Sequence, residues 1–265
     1  MERENIKRIE KKKERETRII DENLREEVKK FFENIQEKGN KKIKKRIGYF
    51  LEKLKEREVE KDILFSLLKF LTEKILKNPN YELGRFTLKD ERELNIFRKK
   101  SRLNEREREK LKSLELKEKF FQIRLKLANL ITKRDIEKEY QEKIERYEQI
   151  SQYKEEIESI KGIEIEIKNI EAQIKRMTAE KNLNYLTSDE KLELKKWRSR
   201  LEITLNEKKD MLSFLLERLN MESLREVLIE YSKRQAEVKE VEKKGLVGVI
   251  EDEIEKIVKN YKKNN

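Results

Sequence analysis

From residue 136 to residue 231 the apolar positions fall into two stripes. The first runs Ile136, Tyr140, Ile144, Tyr147, Ile150, Tyr153, Ile157, Ile160, Ile163, Ile167, Ile170, Ile174 and Met177, in steps of three and four. That spacing marks one face of a helix. After a polar break from Asn182 to Thr187, a second stripe passes through Leu194, Trp197, Leu201, Leu205, Lys208, Leu212, Leu215, Leu219, Leu224, Leu228 and Tyr231. Each step up one stripe matches a step down the other, which sets Ile174 against Trp197, Ile160 against Leu212 and Ile157 against Leu215. The pattern predicts an antiparallel coiled-coil hairpin over 134–241, its second helix capped by Ser188 with Asp189 and Glu190 at the positive end of the helix dipole. Each arm of about 40 residues would extend about 60 Å at 1.5 Å per residue.

Before the hairpin, Ile20, Leu24, Val28, Phe31 and Ile35 predict an amphipathic helix that ends at Gly39 and Asn40. A second helix is expected to run unbroken from about Lys41 to Lys77, where Asn78-Pro79-Asn80 stops it. Thr87 or Asp90 then caps a short helix through Lys100. Asn104 caps another through about Lys133, whose wide apolar face suits the central helix of a bundle. Gly245 and Gly248 are expected to break the returning helix, and Ile250, Ile254, Ile257 and Val258 leave enough for one more helical segment. The predicted fold is therefore all-α, with an N-terminal helical bundle (1–133), a long antiparallel coiled-coil hairpin (134–241) and a short C-terminal helix and tail (242–265).

Composition supports this and removes much chemistry. Six Gly and one Pro in 265 residues leave few helix breakers. Charged residues at 47% against 35% apolar suit an elongated helical protein, and the regular stripes argue against a disordered polyampholyte. The chain has no Cys and no His, so Ser-His-Asp and Cys-His nucleophiles, disulfides and the commonest metal ligands are excluded. The densest apolar run, Ile63 to Leu71, is interrupted by Ser66 and Lys69. The expectation is a cytoplasmic protein with no membrane segment, no cofactor and no metal.

Charge changes the picture most. The net charge is +12, and between Lys38 and Arg57 nine basic residues face only Glu52 and Glu56, a local net of +7. On a helix Lys42, Arg46, Tyr49 and Lys53 fall in one narrow sector with Lys45 beside it, a basic stripe enclosing an aromatic ring, and Lys41 and Lys44 belong to the same basic run and are included in the candidate site. Phosphate contacts and stacking on a base call for that combination. The plainer alternatives are a solvated lysine face or a nuclear-import signal. A second candidate is the hairpin tip, where Lys175, Arg176, Lys181, Lys191, Lys195, Lys196, Arg198 and Arg200 outnumber nearby acids, although Ile174 and Trp197 also fit the last core layer of a coiled coil. A third is the alternating string Gly162 to Lys168. It contains the Glu-x-Lys fragment (Glu166, Lys168) of metal-dependent nucleases, but it also fits the helical stripe and lacks a nearby upstream Asp on a strand.

The sequence thus points to a non-catalytic protein that binds nucleic acid, RNA or DNA, or a nucleic-acid-bound complex, through a basic helix face and a projecting arm. The competing expectation is a protein-docking scaffold, adaptor or inhibitor that engages a nucleic-acid enzyme or other partner through the arm, with the charge serving to steer association. Whether the hairpin closes within one chain or swaps between two stays open.

Overall fold

Almost nothing in this chain stops a helix, and the fold is correspondingly all-α. The computed structural model describes residues 16–36, 39–179 and 186–261, in which nine α-helices are accompanied by one two-stranded sheet. The chain divides into two units. One is formed by the residues up to Tyr140 together with those from Glu240 onward, and the other by Gln141–Lys239.

The first unit begins with strand β1 (Thr17–Ile19) and helix α1 (Glu22–Gln36), which buries Leu24, Val28, Phe31, Phe32 and Ile35. The expected single helix from Lys41 to Lys77 is in fact three elements: helix α2 (Lys41–Lys53), strand β2 (Glu58–Glu60) and helix α3 (Lys61–Phe70), which continues as a π turn (Leu71–Ile75). The interruption has a physical reason. Val59 is buried between exposed Glu58 and half-buried Glu60, and it lies opposite Arg18 where β2 pairs antiparallel with β1. Arg18 in turn donates from Nε to the Leu130 carbonyl at 3.0 Å and from Nη2 to Glu16 at 2.5 Å. An extended Val-centred triplet, stabilised by a sheet partner, outcompetes the helical continuation.

Two capping boxes start the next helices. Thr87 and Asp90 cap α4 (Leu88–Lys99), and Asn104 and Glu107 cap α5 (Glu105–Thr132). Helix α5 is buried on two sides. Phe120 stacks on Phe31 of α1 with ring centroids 4.9 Å apart, and Arg124 makes a fully buried ion pair with Glu251. Glu251 lies on helix α9 (Leu224–Asn260), whose regular geometry breaks at Gly245 (φ +73°). Gly248, expected to break it as well, remains helical. Beyond the kink Val247, Ile250, Ile254 and Val258 join the same core, and Tyr261 stacks on Phe65 of α3 at 3.8 Å.

In the second unit, helix α6 (Ile136–Ser151) leads into α7 (Lys154–Ala179), and α8 (Ser188–Leu219) leads into α9. Helices α7 and α8 lie against each other antiparallel. Glu164 pairs with Lys208 at 2.8 Å and Glu166 with Arg200 at 2.7 Å, while Ile157, Ile160, Leu215 and Leu219 share one buried cluster. Three details differ from the stripes read in the sequence. The N-cap of α8 is Thr187, in a capping box with Glu190, rather than Ser188. Both rails are interrupted at matching heights, at Gln152–Tyr153 and at Asn220–Ser223, where Asn220 takes the left-handed conformation and Arg146 donates to the Leu219 carbonyl at 2.8 Å. The seam of α8 also passes through Thr204, which is buried, and leaves Leu205 exposed. The reason is rotation: from Trp197 a step of seven residues falls about 20° short of two full turns, whereas eight overshoots by about 80°. Among the described residues no helix is long and apolar enough to cross a membrane.

Candidate functional site

Helix α2 is oriented from its apolar side. Asn40 caps it by accepting a hydrogen bond from the Ile43 amide at 3.0 Å, and Ile47 and Phe50 are fully buried against the rest of the unit. Helical geometry then turns Lys41, Lys42, Lys44, Lys45, Arg46 and Tyr49 outward, and all six are exposed. Lys53, expected to extend the stripe, is half-buried and pairs with Glu56 at 3.7 Å. Arg46 lies over two rings, 5.3 Å from the centroid of Tyr49 and 5.0 Å from that of Phe50. Its guanidinium is therefore placed by cation–π contact with two rings inclined at 66° to each other rather than by a carboxylate.

The break after α2 reverses the chain, so that α3 and the π turn run back beside it. Between them opens a cleft of about 700 Å³. One wall carries Asn40, Lys42, Ile43 and Arg46, and the other carries Ser66, Lys69, Phe70, Glu73, Lys74, Lys77 and Asn78. Among the described residues, five cations and one carboxylate thus share a single concave surface. Among the described residues none of the five cations forms a hydrogen bond or ion pair with an acid.

The π turn has a direct effect on this wall. The Leu76 amide donates to the Leu71 carbonyl at 2.9 Å, a five-residue step. In a regular α-helix Lys74 would point about 140° away from Lys69. The wider turn absorbs an extra residue and brings Lys74 round to the cleft beside Lys69 and Lys77.

The other candidates are placed less favourably. Lys175, Arg176, Lys191, Lys195, Lys196, Arg198 and Arg200 are all exposed near the facing ends of α7 and α8, while Lys181 lies outside the described residues. Arg200 is committed to Glu166 and also lies 5.7 Å from the Trp197 ring centroid. Ile174 and Trp197 are half-buried. The Glu-x-Lys string is helical throughout, within α7, and its acids Glu164 and Glu166 are engaged by Lys208 and Arg200.

Sequence reasoning missed Lys69, Lys74 and Lys77. For Lys69 and Lys77 a signal is present as a polar face of Ser66, Lys69, Glu73 and Lys77 at helical steps within an otherwise apolar segment, whereas Lys74 falls off that face in a regular helix. Nothing in that spacing says that this face meets Lys42 and Arg46.

Comparison with protein families, with curated proteins and with solved structures finds no match for the chain.

Proposed function

We propose that this protein binds nucleic acid, RNA or DNA, through the cleft between α2 and α3 and catalyses no reaction on it. One observation carries the proposal: Lys42 and Arg46 from one helix and Lys69, Lys74 and Lys77 from another converge on one cleft whose described lining includes a single acid, Glu73. Elsewhere the chain pairs its charges densely, as Glu164–Lys208, Arg98–Glu118 and Arg134–Glu139 do. Here the cations are left for an external polyanion, which would release counterions on binding. The exposed guanidinium of Arg46 and the exposed ring of Tyr49 add planar groups for bases.

The test is a salt-dependent shift assay with the full chain. The triple variant Lys42→Glu, Arg46→Glu, Lys69→Glu should lose binding while keeping its helical circular dichroism, since all three side chains face the cleft. Unchanged affinity in that variant overturns the proposal.

A second reading is supported by a different observation. Among the described residues, six of the nine large apolar side chains with high exposure lie in the second unit: Ile165, Leu192, Ile203, Leu205, Phe214 and Ile229. That supports a docking function for the α7–α8 pair, as scaffold, adaptor or inhibitor of a protein partner. Binding of nucleic acid only in the presence of such a partner would favour it over direct recognition by the cleft.

A further inference from the structure

We infer that the α2–α3 cleft is built for a single strand of nucleic acid and discriminates against a duplex. The inference rests on the nucleic-acid reading above and adds to it the form of the ligand. Its basis is curvature. Proteins that read duplexes present a convex element that enters a groove, and the major groove of a B-form duplex alone is about 12 Å wide. Here the cations line a concave space of about 700 Å³ between two adjacent helices, with charge on both walls. A duplex is broader than its own groove, so it would rest on the rims and leave one wall unused. A single strand fits between the walls and can turn successive phosphates to each.

The chemistry of the lining agrees. Lys69 and Lys77 are eight residues apart, about 12 Å along the wall, with Lys74 between them. Lys42 and Arg46 stand one helical turn apart on the facing wall. The floor is apolar, formed by half-buried Ile43 and the edge of Phe70. The guanidinium of Arg46, 5.3 Å and 5.0 Å from the Tyr49 and Phe50 ring centroids, is a planar group on which an unpaired base can stack. Bases locked inside a duplex have no face to give. The π turn belongs to the same design, because without it Lys74 would leave the cleft.

The experiment measures anisotropy of a fluorescein-labelled twelve-nucleotide strand, as DNA and as RNA, against the blunt duplex of the same sequence, using the full chain at one fixed salt concentration. The single strands should bind at least tenfold more tightly than the duplex. The variant Lys69→Ala, Lys74→Ala should weaken single-strand binding at least tenfold, whereas Lys55→Ala, on the exposed turn after α2, should not. All of these are surface changes, and circular dichroism verifies that the variants are folded. Duplex binding as tight as single-strand binding overturns the inference and leaves the nucleic-acid reading standing. A single-strand preference that survives the double variant also overturns it, since the strand would then lie elsewhere. No binding of either form overturns the nucleic-acid reading itself.

Discussion

Arg124 and Glu251, 127 residues apart in the chain, meet in a buried bidentate ion pair that joins α5 to the C-terminal part of α9. Arg124 Nη1 donates to Glu251 Oε2 at 2.9 Å, Nη2 donates to Oε1, and the Phe86 amide donates to the same carboxylate at 3.4 Å. Both side chains are essentially inaccessible to water. Removing one partner leaves the other charge buried and unpaired. Glu251→Ala should therefore destabilise the first unit by about 3–5 kcal/mol, whereas the double replacement Arg124→Met, Glu251→Leu should recover much of that loss. Guanidinium denaturation of both variants checks this, and equal stabilities would refute it.

Gly245 takes φ +73°, and a Cβ there would come within 2.8 Å of Leu88 Cδ1. Gly245→Ala should destabilise by about 1–3 kcal/mol, through backbone strain and the displaced leucine. Gly162 is exposed in the middle of α7 with open space around it. Gly162→Ala should instead stabilise by about 0.5–1 kcal/mol. Thermal or chemical unfolding that ranks the two the other way would contradict the assigned conformations.

Glu16 anchors β1 to the start of α3. Hydrogen bonds from Lys61 first, and then from Arg18, hold its carboxyl at about 2, well below its ordinary 4.5. A carboxyl held low when folded adds stability above its ordinary value, and the contribution fades as pH falls from there toward about 2. The stability difference between the protein and Glu16→Gln should be level above about pH 5 and shrink steadily below it. A constant difference down to about pH 2 would show that the carboxylate contributes nothing.

In the second unit the core positions can be told apart by mutation. Ile160 is fully buried, so Ile160→Ala should cost about 2–5 kcal/mol. Leu205 is exposed, so Leu205→Ala should stay within about 0.5 kcal/mol of the parent. Comparable losses at both sites would return Leu205 to the seam.

Binding should separate two lysines that the sequence treats alike. If Lys42 contacts a phosphate, Lys42→Ala should flatten the slope of log affinity against log salt by about 0.7–0.9. Lys53→Ala should leave the slope unchanged, because Lys53 pairs with Glu56 and does not line the cleft.

The helices themselves were legible in the sequence, because three- and four-residue spacing is a local property of the chain. The buried stripe Ile20, Leu24, Val28, Phe31 and Ile35, the caps at Thr87 and Asn104, and the break at Gly245 all follow from neighbours within a turn or two. The exposed basic face of α2 was legible for the same reason. What the spacing could not decide was where helix gives way to a nonlocal alternative. Residues 54–60 carry no Gly or Pro, and they leave the helix because Val59 finds a sheet partner and a buried place near Arg18, some forty residues earlier. That single break decides the site. In an unbroken helix Lys42 and Lys77 would stand about 50 Å apart. With the chain reversed at β2 they line the same cleft, and the π turn adds Lys74 to them. The identity of the basic residues belongs to the sequence. Their convergence belongs to tertiary structure, because it depends on which distant segment offers Val59 a better place than the solvent-facing helix would.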